Sequence, residues 1–286
     1  MIRGLLGKLD PAKRAAAPAA AAKAVVAKET PRRVAEHQDL DHDRVLEITR
    51  QALANNRVDL YLQPVVELPS RKVRHYAAVS RIRDEAGTLV MPAQYLPVAI
   101  EAGLIGAIDN LLLFRCVQLI RRAQRDRVSV GFFCNVSVDS LTDREFFDQF
   151  VEYMEMHKEL ATTLVFELGQ SESQRPGVAA ALAPLRHLGF SFALDHVTDL
   201  SIDFGKLAQA GFKTIRIEGD RLLADMARGG SHTKLPELAE TMRRAGVTLI
   251  ADKIEHEASA ERLVRFGVTL AQGFLFGEPR IASDGR

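Results

Sequence analysis

The chain has no tryptophan, only two cysteines, and aromatic side chains at just 6% of its 286 residues. With cysteine so scarce, no disulfide framework can carry the fold. Cys116 stands in a helical pattern and Cys134 inside the apolar run FFCN, the setting of reduced core thiols in a cytosolic protein. No apolar run approaches the roughly 18 residues needed to span a bilayer. A large charge surplus is missing too: 26% of residues are charged and the net charge is +1, so the chain as a whole carries no nucleic-acid signature.

The charge that is present is unevenly spread. Residues 1–34 hold eight Lys/Arg against Asp10 and Glu29, a segment charge of +6 that leaves −5 for the remainder. Ala15 to Ala27 is apolar by virtue of alanine, is interrupted by Pro18 and Lys23, and lacks a leader-like core. Alanine buries too little surface to offset the entropy of ordering, so residues 1–42 are expected to form a disordered basic Ala/Pro/Lys-rich tail on a folded domain of residues 43–286. The opening MIRGLLGKL sets Ile2, Leu5, Leu6 and Leu9 on one helical face around Gly4 and Gly7. Disorder and a membrane-touching or partner-docking peptide both stay open for it.

Six apolar runs each end in a polar or charged residue. They are VSVGFFCN at Asn135, TTLVFE at Glu167, FSFALD at Asp195, FKTIRI at Arg216, VTLIAD at Asp252 and VTLAQ at Gln272, with helix-like segments between them. Fully buried parallel strands read as continuous Val/Ile/Leu/Phe, and in a (β/α) barrel the functional groups gather at the C-terminal strand ends. Before these runs, an amphipathic helix from about Asp43 ends at Asn55 and Asn56. The runs VDLYLQPVVEL and KVRHYAAVSRI then follow, separated only by Pro69, Ser70 and Arg71. So short a connection forces an antiparallel hairpin. The expected fold is therefore α/β, a TIM-like (β/α)8 barrel with an antiparallel opening strand.

Other residues have plainer roles. His75, His187 and His256 stand at no metal-ligand spacing and are expected at surface or boundary positions. Arg121, Arg122, Arg125 and Arg127 follow a long helix, where cations complement the dipole. Tyr153, Met154 and Met156 are expected to pack a helix on the barrel.

The combination resembles the EAL domain family, the barrel phosphodiesterases and receptors of cyclic di-GMP, from about Val58 to Pro279. YLQPVVEL is similar to that family's opening strand, YAAVSRIR stands where Y-E-A-L-L-R belongs, and MPAQYLPVAIEAGLIGAID matches its P-x-x-F-I-P stretch. Further on, CNVS, FELGQS, ALDH, RIE, ADKIE and AQGFLF stand for V-N-L-S, L-E-I-T-E-S, A-L-D-D, K-I-D, A-E-G-V-E and x-Q-G-Y-L-F. The fold this implies is a barrel of the EAL type.

In active relatives the pattern implies an asparagine and carboxylates that hold divalent metals, which activate a water against one phosphodiester. Asn135, Glu167 and Asp195 keep ligand identities. The EAL glutamate, however, is Ala77, the second acid of the Asp-Asp pair is His196, the lysine is Arg216, and the general base is Asp252, one methylene shorter. The glutamate that steadies the loop after Asp195 is Gln170, and that loop reads HVTDLS without the family's glycines. Loss of ligand charge and number argues against a stable Mg or Mn site, hence no metal cofactor and no useful hydrolysis.

Positions implied to touch ligand persist: Gln63, Pro64, Arg81, Asn135, Glu167, Asp195, Lys253, Glu255, Gln272 and Gly273. The expected function is thus an inactive EAL domain acting as a cyclic di-GMP receptor and protein-interaction module. The alternatives are a nucleotide-free scaffold and a weak metal-dependent phosphodiesterase. Arg216, Lys253 and His196 could replace the metals' positive charge, while Glu167, Asp195, Asp252 and Glu255 would repel phosphate, and the sign of that balance is not readable here. The resemblance further implies a homodimer. The stretch from Met91 to Arg122 is similar to divergent alphaproteobacterial members of the TipF type, which implies a flagellar or polar protein partner and recruitment to the pole or inner membrane face.

Overall fold

Asp41, extended at the head of the first helix, accepts the backbone N–H of Arg44 and satisfies one of the donors that a helix start leaves unpaired. The computed structural model describes residues 25–26, 36–37, 39–227 and 234–282. In it, helix α1 (His42–Ala54) buries Val45, Ile48, Thr49 and Ala52 along one face. The hairpin follows: β1 (Val58–Glu67) and β2 (Val73–Arg83) run antiparallel, with Asp59 opposite Arg81 and Gln63 opposite Ala77. A short β3 (Leu89–Val90) extends the end of β2, and α2 (Pro92–Glu101) and α3 (Ile105–Arg125) lead back to the sheet.

Six further strands then run parallel to β2. They are β4 (Gly131–Asn135), β5 (Leu164–Gly169), β6 (Ser191–Asp195), β7 (Phe212–Glu218), β8 (Thr248–Asp252) and β9 (Leu270–Gln272). The crossovers carry α4 (Val138–Thr142), α5 (Arg144–Met156), α6 (Gln170–Ser173), α7 (Val178–His187), α8 (Phe204–Gln209), α9 (Gly219–Ala227), α10 (Lys234–Arg244) and α11 (Glu257–Arg265). β9 pairs antiparallel with β1, which also pairs with β2, so eight strands close into a mixed barrel. β10 (Arg280–Ile281) pairs with β1 at Tyr61 and Leu62, on the edge that β9 takes from Val65 to Glu67. The fold is the expected barrel with an antiparallel opening strand. Asn135, Asp195, Asp252 and Gln272 are final strand residues as expected, whereas β5 and β7 run two residues past Glu167 and Arg216.

Strand alternation sorts the side chains. Phe132, Phe166, Phe192 and Ile215 face the helices in the main core, with Phe166 edge-on to Phe150 of α5. Val65, Phe133, Ala193 and Ile250, joined by Val165 and Leu270, fill the lumen. The next inward positions along those strands are Asn135, Glu167, Asp195, Asp252 and Gln272. An apolar plug therefore lies beneath a polar mouth.

Two expectations need correction. Within the segment expected to be disordered, Val25 is buried in the main core, Val26 bridges Ala282, and Glu36 bridges Leu89, with His37 2.8 Å from Asp84. Val25 is buried and Val26 half-buried against this core; the MIRGLLGKL peptide and most of the linker lie outside the described residues. Met156 is 66% exposed, because it stands two residues past buried Met154 and so on the opposite helix face. His75 stands at a boundary position as expected, half-buried, its ring centroid 5.1 Å from that of Phe133, in space that exists only because Gly131 has no Cβ. Among the described residues no helix is long and apolar enough to cross a membrane.

Burial pushes the His75 imidazole down from 6.5 to about 4. The unfolded chain binds this proton at a higher pH than the folded one, so the contribution is intact above about 6.5 and is lost as pH falls towards about 4. Denaturant unfolding of wild type and His75→Gln at pH 7 and 4.5 should show a smaller acid loss in the variant. Equal losses would contradict a half-buried His75 held neutral.

Candidate functional site

Arg216 enters the mouth from β7 at an inward position, two residues beyond Thr214. Its side chain is 4% exposed and lies among three carboxylates. Nε is 3.0 Å from Glu167 Oε1 and 3.7 Å from Asp195 Oδ1, and Nη2 is 3.3 Å from Asp252 Oδ2. Neither Nε nor Glu167 Oε1 has an aligned hydrogen bond, so that contact is ionic rather than directional. Nη2 donates to Gln272 Oε1 at 2.7 Å, and Phe133 forms the floor, its ring centroid 5.7 Å from the guanidinium carbon.

Charge and burial oppose each other here. Burial disfavours the Arg216 cation, but the fields of Glu167, Asp252 and Asp195 outweigh it and raise its pKa further, so it stays charged. Burial pushes Glu167 up to about 7, with Asp195 and Asp252 adding to the rise and Arg216 opposing it. For Asp195, burial acts upwards but is overcome by the His196 hydrogen bond and the Arg216 charge, and the carboxyl ends below its usual range.

A polar chain runs outward from the guanidinium. Gln272 Nε2 donates to Gln63 Oε1 at 2.7 Å, and Gln63 Nε2 donates to the Gly277 carbonyl at 3.2 Å. The segment after β9 folds tightly over this chain: Leu275 N–H donates to the Ile254 carbonyl at 3.1 Å. Gly273, at φ +152, is required there, because a Cβ would stand 2.1 Å from the Ile254 oxygen.

The ends of β6 and β8 share one local design. Asp195 Oδ1 accepts the backbone N–H of His196 at 2.7 Å, and Asp252 Oδ1 accepts that of Lys253 at 2.8 Å. Both successors take positive φ, +52 and +56, and both are exposed. His196 Nδ1 donates to Asp195 Oδ2 at 2.8 Å, since a carboxylate only accepts; Lys253 pairs with Glu218. The loop after β6 is held by Gln170, whose Oε1 accepts Thr198 N–H at 2.9 Å and Asp199 N–H at 3.0 Å, while its Nε2 donates to the Asp199 carbonyl at 2.6 Å. An amide can do this because it carries both polarities, where a carboxylate would only accept. Across the mouth, Arg81 lies over Tyr61, 5.6 Å from the ring centroid, and donates to the Ser80 carbonyl at 2.9 Å.

Residues 46–279 match the EAL domain. The chain belongs to the EAL domain family. Over 247 residues it is 24% identical to the cyclic di-GMP phosphodiesterase PdeF of Escherichia coli (strain K12), covering 85% of this chain and 33% of that protein. Over 237 residues it is 24% identical to the cyclic di-GMP phosphodiesterase PdeB of Shewanella oneidensis, covering 80% and 27%. The chain thus spans a third or less of the length of these relatives. Among solved structures, the FimX EAL domain from Pseudomonas aeruginosa bound to c-di-GMP superposes with a TM-score of 0.69 at 22% identity, covering 82% of this chain and 96% of that one. The PaMucR phosphodiesterase in its c-di-GMP complex gives 0.71 at 23%, covering 83% and 97%. At these identities the superpositions show the fold.

In this EAL domain, Gln63, Glu167, Asp195, Arg216, Asp252 and Gln272 form one connected cluster. Asn135 stands beside Glu167 in the sheet register, exposed at the mouth, and Ala77 lies opposite Gln63 with no polar atom to offer. Arg81, His196 and Lys253 occupy the rim. Pro64 does not join them: it alternates to the outer face of β1, opposite Tyr76, and packs under Gly277. Glu255 is exposed beyond β8, and Gly273 acts through its backbone. Tyr61 was missed; the signal for it was the hairpin register, which sets it two residues from Gln63 on the inward face of β1.

Removing one partner from a buried ion cluster leaves uncompensated charge and costs about 3–5 kcal/mol. Arg216→Ala should therefore unfold at markedly lower denaturant near pH 7.5, and the deficit should shrink at lower pH as the orphaned carboxylates protonate. Wild-type stability in Arg216→Ala at pH 7.5 would show that the guanidinium does not hold this cluster.

Proposed function

We propose that this EAL domain is a receptor that binds cyclic di-GMP at the barrel mouth without a metal and without hydrolysing it. The observation that carries the proposal is Arg216, whose guanidinium lies within 3.7 Å of oxygens on Glu167, Asp195 and Asp252. A divalent pair would need those same oxygens at about 2.0–2.2 Å in a cage of hard ligands. The residues present do not fit it. Ala77 contributes no oxygen, and a metal would have to displace a buried cation bonded to Gln272 or sit beside it against like-charge repulsion. Among the described residues, no group of three His, Cys, Asp or Glu is arranged to hold a metal ion.

The same guanidinium offsets the carboxylates that would otherwise repel phosphate. Arg81 has no ion pair among the described residues, so its paired N–H donors can turn to a phosphate without first breaking one. A receptor reports occupancy to something else, and the flagellar or polar protein partner implied by the Met91–Arg122 stretch belongs to the same proposal. Weak hydrolysis is the rival reading, favoured by the names of the relatives that this chain resembles.

Calorimetry in EDTA should give saturable cyclic di-GMP binding, with Arg81→Ala weaker by about 1.5–3 kcal/mol. With magnesium or manganese no linear product should accumulate. Affinity weaker than high micromolar would overturn the receptor, and steady turnover abolished by Asn135→Ala would establish the enzyme instead.

A further inference from the structure

We infer that Lys253, with His196 beside it, forms a second phosphate seat facing Arg81 across the mouth. The inference rests on the receptor proposal and deepens it, since a ligand with two phosphates needs two anion seats. The ring order supplies the geometry. Counting strands either way from β2, which carries Arg81, β7 is the fourth neighbour, and β6 and β8 flank β7. His196 and Lys253 follow the last residues of β6 and β8. They therefore straddle the point opposite Arg81, above the Arg216 guanidinium of β7. They are near enough to interact electrostatically, Lys253 with His196 and Lys253 with Asp195.

Both residues are unusual where they stand. In the A-E-G-V-E pattern that ADKIE resembles, the position of Lys253 carries glycine, the residue that adopts positive φ without strain. Here a lysine holds φ +56, a conformation that disfavours any side chain with a Cβ. A strained non-glycine residue at a site rim points to a task for its side chain. The His196 position carries the second acid in A-L-D-D, and its replacement removes an anion from the rim.

The Lys253 ammonium pairs with Glu218, and both side chains are more than half exposed, at 65% and 54%. An exposed pair of this kind contributes little, so a phosphate can take it over. Glu218, Asp252 and Asp195 are the nearby acids, and Asp195 is itself paired with His196 and faces Arg216. Asp252 already faces Arg216, and Glu218 loses its partner only when ligand arrives.

The test is cyclic di-GMP titration in EDTA with the full chain, Lys253→Gly, His196→Asp and His196→Gln, each also followed by thermal melting. Lys253→Gly should melt at or above wild type, because backbone strain is relieved, yet bind about tenfold or more weakly through loss of a charged hydrogen bond. His196→Asp should weaken binding, and His196→Gln, which adds no charge, should lose less. If wild type binds while Lys253→Gly and His196→Asp bind equally well, the second seat is wrong and the receptor stands. If wild type does not bind, both fall.

Discussion

Glu167, Asp195 and Asp252 come from three different strands and share one lumen, and Arg216 is the cation that lets them do so. Like charges about 4 Å apart repel by about 4 kcal/mol at an effective dielectric near 20, so such a cluster needs a positive centre. Many metal sites answer that need with exchangeable ions. Here the positive charge is covalently part of the chain, on an inward position of β7, and its Nη2 also donates to Gln272. The barrel below supplies the support: Phe133 floors the guanidinium, and Val65, Ala193 and Ile250 pack the lumen with Phe133.

A fixed cation and an exchangeable one make different sites. A guanidinium screens carboxylates and donates hydrogen bonds, but it does not lower the pKa of a bound water as a divalent metal does. It also resists removal by chelators and links the centre to the rim through side-chain amides. The chain from Arg216 through Gln272 and Gln63 to the Gly277 carbonyl ties the electrostatic centre to the segment that continues into β10, and β10 in turn lies on β1. Site and barrel seam are thus mechanically one unit.

Much of this could be read from residues alone, for local reasons. The strand ends were legible because buried parallel strands write continuous apolar runs, and the hairpin because three residues cannot make a crossover. The ends of those runs also marked Asn135, Glu167, Asp195 and Gln272 as mouth residues. Other features were hidden because they depend on partners far apart in sequence. The seat of the His75 ring needs the gap left by Gly131 on another strand, and Pro64 falls on the outer face by the parity of a hairpin register. Val25 is buried against a core built almost entirely downstream of it. The balance of charge at the mouth was unreadable for the same reason: Arg216 stood as one cation among several, and only the three-strand geometry sets it against all three acids.

Manganese anomalous diffraction from crystals soaked in millimolar manganese tests the central claim most directly. Arg216 should remain among Glu167, Asp195 and Asp252 with no anomalous peak between them. Two ordered manganese ions bound by those carboxylates and Asn135, with the Arg216 side chain displaced from the lumen, would contradict it.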